Sequence, residues 1–181
     1  MGELPGGLAP GEPSADDVDV ERHAGAVSRL RVRYPARMRI FTIGYEGATV
    51  GEFLAALQAA GVERVIDVRA LPLSRRPGFS KSPLRAALEE VGIEYVHLKA
   101  LGTPSEGRTA ARAGRHADME RIYAGQLELP EAMAQSAQML ELARERPSAL
   151  LCMERDPSHC HRSLLLDAVA GDAEVIDLYA S

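Results

Sequence analysis

Short apolar runs alternate with amphipathic segments along most of this chain, and that alternation limits the folds it can adopt. The runs at residues 40–43, 65–68 and 95–98 are rich in β-branched or aromatic side chains, which is typical of buried strands. Two further strands are predicted at residues 148–153 and 174–178. Because helical segments separate the strands, we predict an α/β fold: a single open, mostly parallel five-stranded sheet with helices on both faces, a Rossmann-like arrangement of three layers.

Capping residues mark where several helices are expected to begin. Thr49 is followed three residues later by Glu52, which is a capping-box pattern. Ser82 is predicted to cap a second helix, and Pro130 to open a longer one. Residues 101–116 contain glycine and several arginines but show no apolar face, so we predict a long loop there.

The beginning of the chain differs from the rest in composition. The first twenty residues contain five acidic residues and no basic residue, together with many Gly and Pro residues. Such a segment buries too little apolar surface to offset its ordering entropy. We therefore predict a disordered, acidic, Pro- and Gly-rich N-terminal tail at residues 1–37 and a single α/β domain at residues 38–181. Residues 27–34 alternate in polarity and could instead form a short edge strand.

The charge balance limits the partners that the folded part can bind. After the first twenty residues, the remaining acidic residues equal the 21 Lys and Arg residues in number, so a nucleic-acid surface would have to be a local patch. No apolar run is long enough to span a membrane, and the N-terminus lacks a signal-peptide pattern. We expect a cytoplasmic protein without a membrane partner; the oligomeric state stays open. In that compartment the two cysteines are better explained as thiols, metal ligands or redox groups than as a disulfide.

Residues 150–163 concentrate more reactive groups than any other stretch. They include both cysteines, two histidines, a glutamate and an arginine, directly after a predicted strand. In open parallel sheets, ligands bind beyond the carboxyl ends of the strands, because loops and helix N-termini gather there. We therefore expect this stretch to share one edge of the sheet with the segments around Tyr45 and Arg69.

One interpretation of that edge is an anion-binding cleft. Arg69, Arg75, Arg76 and Lys81 fall within thirteen residues that contain no acid, and Arg162 lies in the first turn of a predicted helix. Guanidinium groups and helix N-termini both favour phosphate. We predict a phosphate-bearing ligand, either a small molecule such as a nucleotide or the end of a nucleic acid. Alternatively, Arg69 pairs with a nearby acid and the other basic residues are only solvated.

Other residues are predicted to line the same cleft. Tyr45, Glu154 and His161 are ligand-binding candidates, and Glu154 would be the general base, because neighbouring arginines should keep its carboxylate ionised. Tyr45 and Phe79 could form a stacking surface for a base or ring. It is equally consistent with the sequence that each of these two rings plugs the edge of the core.

A second interpretation is a metal- or thiol-dependent enzyme. Cys152, Glu154, Cys160 and His161 form a C-x-E-x5-C-H pattern, and these side chains can together bind zinc or iron. The close C-x2-C pairs of structural zinc sites are missing, so we do not predict a metal as the preferred interpretation. If one is bound, these four residues are its ligands; otherwise the cofactor is unknown.

Cysteine catalysis is a related alternative. Cys160 lies between two histidines near a predicted helix start, surroundings that lower a thiol pKa. Glu154 and Cys160 are therefore the candidate catalytic residues, with His161 beside the thiol. The third alternative is a non-catalytic interaction module, in which Glu154 pairs with Arg162 only to hold the loop.

Several segments in this order resemble a known protein family, the domain of unknown function 488. They are residues 42–47, 65–69, 72–76, 79–81, 95–104 and 152–162. The resemblance covers about residues 38–180 and leaves the acidic N-terminal tail outside. It implies a small cytoplasmic α/β protein, but it transfers no catalytic role to any residue, because the family has no established activity.

Overall fold

Five strands form one all-parallel sheet in the computed structural model, which describes residues 37–180. They are β1 (Arg39–Gly44), β2 (Arg64–Asp67), β3 (Glu94–His97), β4 (Ser148–Cys152) and β5 (Glu174–Tyr179), in the spatial order β3-β2-β4-β1-β5. All four neighbouring pairs are parallel. The predicted α/β class and the open five-stranded sheet are confirmed. The predicted tail and the possible strand at residues 27–34 lie outside the described residues, apart from Arg37.

The strand order places β4 at the centre of the sheet. The chain moves outward through β2 and β3, returns to insert β4 between β2 and β1, and ends with β5 on the far side of β1. Leu151 on β4 is therefore in register with both Ile43 on β1 and Asp67 on β2, and Cys152 pairs with Gly44. As a result, the end of β4 is flanked by the carboxyl ends of two other strands, which is where ligand sites form in such sheets.

In the described part of the chain, six α-helices cover the two faces of the sheet. They are α1 (Val50–Ala59), α2 (Lys81–Glu90), α3 (Ser105–Arg112), α4 (His116–Leu127), α5 (Pro130–Glu145) and α6 (His161–Val169). Helices α1 and α2 pack on one face, and α4, α5 and α6 contribute to the core on the other. This gives the predicted three layers. Among residues 37–180, no helix combines the length and the apolar composition that crossing a membrane requires.

Strands β1, β2 and β4 are buried on both faces, as continuous apolar runs in parallel sheets usually are, whereas the edge strand β5 is largely exposed. Phe41 and Ile43 point towards α1 and α2, where they join Phe53 and Leu57 in one core cluster. Ile40, on the alternate side of the strand, belongs to the second cluster beneath the remaining helices. The alternation of side chains along each strand thus divides the core into two halves.

The helix starts agree only in part with the capping patterns. At Thr49 both halves of the capping box are present, because its side chain accepts from the Glu52 amide and its own amide donates to the Glu52 carboxylate. Helix α2, however, begins two residues before the predicted start, with Ser80 and not Ser82 as its N-cap residue. Ser82 lies inside the first helical turn, where the proline after it is tolerated because early backbone N–H groups have no helical partner.

The prediction of a long loop at residues 101–116 was wrong. A short 3₁₀ turn at Lys99–Leu101 is followed by α3, and α4 begins at His116. The buried face of α3 is formed by Gly107 and Ala110, and a Cβ atom on Gly107 would lie 2.7 Å from the Thr103 side chain. Because small residues make this contact, the helix lacks the leucine or isoleucine stripe by which a helix is usually predicted.

Candidate metal centre at the carboxyl edge of the sheet

Four potential metal ligands meet where β4 ends and α6 begins. Cys152 is the last residue of β4, Glu154 lies in the loop that follows, Cys160 is the N-cap residue of α6 and His161 is its first residue. One ligand atom from each residue lies within 4.8 Å of the others. A strand end and a helix start therefore bring together two sulfur atoms, a nitrogen and a carboxylate oxygen from ten residues of sequence.

The distances within this cluster are short and similar to one another. The Cys152 sulfur lies 2.9 Å from Glu154 Oε2 and 3.6 Å from His161 Nδ1. The Cys160 sulfur lies 3.3 Å from the same carboxylate oxygen and 3.8 Å from the same nitrogen. The four side chains thus surround one small volume.

The orientation of the His161 ring is fixed by the backbone. Its Nε2 atom lies 3.0 Å from the carbonyl oxygen of Val68, the residue directly after β2. Because a carbonyl oxygen only accepts, Nε2 carries a hydrogen and donates it. In the neutral ring this leaves a lone pair on Nδ1, which faces the two sulfur atoms. Histidines that bind metals are usually held in this way, with the second ring nitrogen donating to a carbonyl or carboxylate.

Arg162 lies directly behind the cluster and is almost completely buried, with 1% of its surface exposed. Its Nε donates to the Cys160 sulfur at 3.2 Å, and its terminal nitrogens donate to the Glu154 carbonyl oxygen at 2.6 Å and to Thr42 Oγ1 at 3.5 Å. No carboxylate among residues 37–180 forms an ion pair with it. A buried guanidinium remains charged, so the Cys160 sulfur is the group placed to carry the opposite charge.

The two thiols differ in acidity for this reason. Burial by itself raises the pKa of Cys160, but its hydrogen bonds with Cys152 and His161 and the nearby charge of Arg162 outweigh burial and hold that pKa well below its usual range. The pKa of Cys152 is raised, first by burial and then by the neighbouring Cys160 and Glu154. The site therefore favours a thiolate at Cys160 and a protonated thiol at Cys152.

Glu154 and His161 are affected by the same cluster. The pKa of Glu154 is raised, mainly by burial and next by the negative charge of Cys160. Arg162, one of the arginines expected from the sequence to keep this carboxylate ionised, contacts the Glu154 backbone carbonyl and not the carboxylate. Burial lowers the pKa of His161, but hydrogen bonding and attraction to Cys160 outweigh it, so that pKa is raised overall. The Glu154 carboxyl group and the His161 ring are thus both shifted towards their protonated forms.

The end of β1 is pressed against the loop that carries Glu154. A Cβ atom on Gly44 would lie 1.8 Å from the Glu154 carbonyl oxygen, a distance at which no side chain fits. Beside it, the Glu46 amide donates to the Met153 carbonyl at 2.9 Å, and the Arg155 amide donates to the Glu46 carboxylate at 3.2 Å. The position of the loop that carries Glu154 is therefore fixed by β1.

The cluster forms part of the floor of an open cleft of about 570 Å³. Cys152, Glu154 and His161 line it, whereas Cys160 lies behind them and is only 3% exposed. One wall is the loop after β2, with Arg69, Arg75 and Arg76, and another is α3. The carboxyl edge thus brings together residues from the ends of β1, β2 and β4.

Several of the predicted anion-binding residues have protein partners. Arg69 is buried and donates to the Asp67 carboxylate from Nε at 2.8 Å and from a terminal nitrogen at 2.6 Å. Its pKa is raised overall, because hydrogen bonding and attraction to Asp67 outweigh the effect of burial. Lys81 does not line the cleft, and its Nζ lies 3.4 Å from a ring nitrogen of His97. Arg75 and Arg76 remain at the cleft surface, although Arg76 also donates to the Ala48 carbonyl at 2.6 Å.

The two rim aromatics are core residues. Tyr45 and Phe79 are 3% and 1% exposed, and their rings stack on each other with centroids 4.5 Å apart. The Tyr45 hydroxyl accepts a hydrogen bond from Arg69 at 3.3 Å. The suggestion that these two rings form an exposed stacking surface was therefore wrong, because each covers the face that the other would offer.

Sequence reasoning missed the arginines of α3. Arg108 and Arg112 line the cleft together with Arg75, and they are four residues apart, the spacing that places two side chains on one side of a helix. That spacing was visible in the sequence. A loop at residues 101–116, as predicted, would have no helical face on which the two side chains could meet.

Comparison with known protein families gives one match. A family model described as "Domain of unknown function DUF488" matches residues 49–169, more than half of the 181 residues. The matched range includes the four residues of the cluster and the cleft arginines. No curated protein and no solved structure matches the chain.

Proposed function

Because the chain belongs to the DUF488 family, whose description assigns no activity, we propose a function from the site itself. Cys152, Glu154, Cys160 and His161 bind a divalent metal ion that prefers sulfur ligands, with Zn²⁺ as the best fit. The metal lies at the floor of the cleft and supports an enzymatic reaction there. The observation that carries this proposal is the convergence of four suitable ligand atoms within 4.8 Å of one another.

The measured separations fit a four-coordinate site. With zinc–sulfur bonds near 2.3 Å and zinc–nitrogen or zinc–oxygen bonds near 2.0 Å, neighbouring ligand atoms in a tetrahedron are about 3.5–3.8 Å apart. The sulfur–nitrogen distances of 3.6 and 3.8 Å fall in that range. The sulfur–oxygen distances of 2.9 and 3.3 Å are shorter, and all separations in the set lie within 4.8 Å, so the ligand side chains would have to adjust by several tenths of an ångström, the Glu154 carboxylate among them.

The charge of the surroundings supports the same proposal. Two thiolates, one carboxylate and a divalent cation leave one net negative charge, and the buried guanidinium of Arg162 offsets it. A metal ion would also remove the repulsion between Glu154 and Cys160 that helps raise the Glu154 pKa. The positive charge beside the cluster therefore suits a metal site that carries a net negative charge.

The exposure of the ligands favours catalysis over a purely structural role. Structural zinc sites are usually closed by four buried protein ligands, whereas catalytic sites keep one position accessible. Glu154 is half-buried and faces the cleft, and a carboxylate binds zinc less strongly than a thiolate does. Glu154 would be the ligand most open to the cleft, and its carboxylate would be placed to accept a proton from a water or substrate molecule bound there. Cys160 is shielded from the cleft, so its proposed role is that of a ligand and not of a nucleophile.

Elemental analysis of the purified full chain tests this proposal. After incubation with excess Zn²⁺ and removal of unbound metal, we expect about one zinc ion per chain. Zinc should also raise the melting temperature by several degrees, because an ion that binds only the folded state stabilises it. Absence of both bound zinc and any shift, in protein protected from oxidation by a reductant, would rule the site out.

Zinc affinity should fall as the pH is lowered from 7.5 to 5.5. Cys152 has a raised pKa and must lose its proton to bind zinc as a thiolate. His161 also has a raised pKa, so protons compete with zinc for its ring nitrogen as well. For each proton that must be released on binding, the zinc affinity falls about tenfold for every unit by which the pH is lowered. Competition titrations with a chromogenic chelator at several pH values measure this slope. A flat profile would show that neither group is a ligand.

We also propose that the cleft accepts an anionic ligand, in line with the phosphate-bearing ligand predicted from the sequence. The supporting observation is that Arg75, Arg76, Arg108 and Arg112 line the cleft and form no ion pair with an acid among the described residues. The side-chain donors of Arg69 and Arg162 form hydrogen bonds within the protein, so we assign these two residues to holding the cleft walls in place. Binding of inorganic phosphate to the zinc-loaded protein, weakened by salt, tests this second proposal.

A further inference from the structure

We infer that the cleft binds a small organic anion whose body is aliphatic, and not a nucleotide or a nucleic-acid strand. This inference rests on the proposed anionic ligand and names its chemical class. Three properties of the cleft carry it: the arginines on its walls, the exposed aliphatic side chains at its edge, and the lack of a free aromatic face.

The positive charge faces the cleft from two sides. Arg75 forms no hydrogen bond or ion pair with residues 37–180, and Arg112 has only a weak contact of 3.3 Å with the Thr109 hydroxyl of its own helix. Arg108 uses one terminal nitrogen to donate to the Thr103 carbonyl at 2.6 Å, which leaves its other donors available. Glu154 is the one carboxylate that lines the cleft within the described part of the chain. An anionic group between these walls would have donors from both sides.

The edge of the cleft exposes aliphatic surface. Leu71, Leu73 and Met153 are 53%, 75% and 47% exposed, and they come from the two loops that follow β2 and β4. They are three of the seven large apolar residues that are exposed among residues 37–180. Clustered apolar residues around a cleft mark a binding surface, whereas isolated ones need no explanation. An alkyl group that covered them would be stabilised by removal of that surface from water.

The cleft offers no free platform for a nucleobase. Tyr45 is its only aromatic lining residue apart from the His161 ring, within the part of the chain that the structure describes. The Tyr45 ring is stacked against Phe79, and the Arg69 guanidinium carbon lies 5.2 Å from its centroid. The His161 ring is buried with its edge bonded to Val68. Proteins that bind single-stranded nucleic acids usually stack the bases on open aromatic faces, and this cleft offers none, so an aliphatic body fits it better.

The size of the cleft agrees with a small molecule. Its volume of about 570 Å³ lies within the range of about 300–1,000 Å³ that is typical of small-ligand sites. Because Cys152, Glu154 and His161 line the same space, a ligand held by the arginines also lies next to the proposed metal. The substrate class is therefore an organic phosphate or carboxylate with an alkyl or acyl chain.

Calorimetric titrations of the full chain with defined anions test the inference. Octyl phosphate and octanoate represent the proposed class, glycerol phosphate lacks the apolar body, and AMP and a ten-nucleotide thymidine strand represent nucleic acids. We expect octyl phosphate to bind at least about tenfold more tightly than glycerol phosphate, because several methylene groups leave water. Tighter binding of AMP or of the oligonucleotide would overturn the inference.

Surface variants separate the two parts of the ligand. Arg112→Gln should weaken both octyl phosphate and glycerol phosphate by about fivefold, as expected for one partly exposed charge contact. Leu73→Ser should weaken octyl phosphate by about fivefold and leave glycerol phosphate unchanged. The matched controls are Arg121→Gln and Leu129→Ser, because both residues are exposed and lie outside the cleft.

The titrations distinguish failure of this inference from failure of the metal centre. If zinc binds but octyl phosphate binds no better than glycerol phosphate, the inference is wrong and the metal proposal stands. If zinc does not bind while octyl phosphate binds with the expected sensitivity to Arg112 and Leu73, the ligand class stands without the metal. Equal effects of the cleft variants and their controls would also overturn the inference.

Discussion

Replacing Cys160 with serine is expected to weaken zinc binding by about 100- to 1,000-fold. Structural zinc sites bind with about 10–16 kcal/mol, so one of four ligands accounts for about 2.5–4 kcal/mol. Cys160 should be among the stronger ligands, because Arg162 and His161 stabilise its thiolate. Competition with a chelator of known zinc affinity measures the loss, with Met153→Leu as a control in the same loop that keeps side-chain volume and supplies no ligand.

The Cys160 variant must also be shown to fold. Arg162 loses its negatively charged neighbour in this variant, so the metal-free protein should melt at a lower temperature than the unaltered chain. Glu154→Gln provides a second measurement that keeps Cys160 and Arg162 in place, and it should weaken zinc binding less than Cys160→Ser does. Unchanged zinc affinity in a folded Cys160→Ser variant would show that this sulfur is not a ligand.

The largest expected effect on stability is that of Asp67→Asn. The Asp67 side chain is fully buried and accepts from the Arg69 side chain at 2.6 and 2.8 Å, from the Arg69 amide at 3.0 Å and from the Tyr95 hydroxyl at 2.6 Å. Asparagine keeps the shape but removes the charge, which leaves the Arg69 guanidinium buried without a counter-charge. Breaking such a pair costs about 3–5 kcal/mol of the free energy of unfolding.

Chemical denaturation measures this loss, and Tyr95→Phe is the matched control. That variant removes one hydrogen bond to the same carboxylate and leaves the ion pair intact, so we expect a smaller loss of about 1.5–3 kcal/mol. The pair is also the support of the loop after β2, because Arg69 donates to the Phe79 carbonyl at 2.9 Å. A loss for Asp67→Asn no larger than that for Tyr95→Phe would contradict the role assigned to the ion pair.

The central strands were predictable because burial on both faces leaves continuous apolar runs in the sequence. The apolar runs at residues 40–43 and 65–68 predict buried parallel strands, because helical segments follow them. Helix α3 was not predictable in the same way, since Gly107 and Ala110 pack through their small size and not through hydrophobicity. The edge of the sheet where ligand-binding residues gather follows from strand direction alone. Strand order does not, and the insertion of β4 between β1 and β2 is known only from the structure.

The candidate site, like the fold, could be predicted from the sequence only in part. Cys152, Glu154, Cys160 and His161 could be named from one short stretch because a strand end and a helix start are close in sequence. The sequence shows that arginines are present but not where their donors point. The partner of Arg69 is a carboxylate two residues away, whereas that of Arg162 is a sulfur atom. The tautomer of His161 depends on a backbone carbonyl that lies 93 residues away in the sequence.

If the proposed zinc ion binds, the contact between Gly44 and the Glu154 carbonyl links it to the stability of the folded protein. Since β1 fixes the loop that carries Glu154, the four side chains of the cluster come together only after the central strands have assembled. With zinc at a thousandfold excess over its dissociation constant, the folded state would gain about 4 kcal/mol. A gain of this size lowers the fraction of molecules that proteases find unfolded by roughly three orders of magnitude. We therefore expect the abundance of this protein in a cell to rise and fall with the supply of the proposed metal, whatever the cleft does.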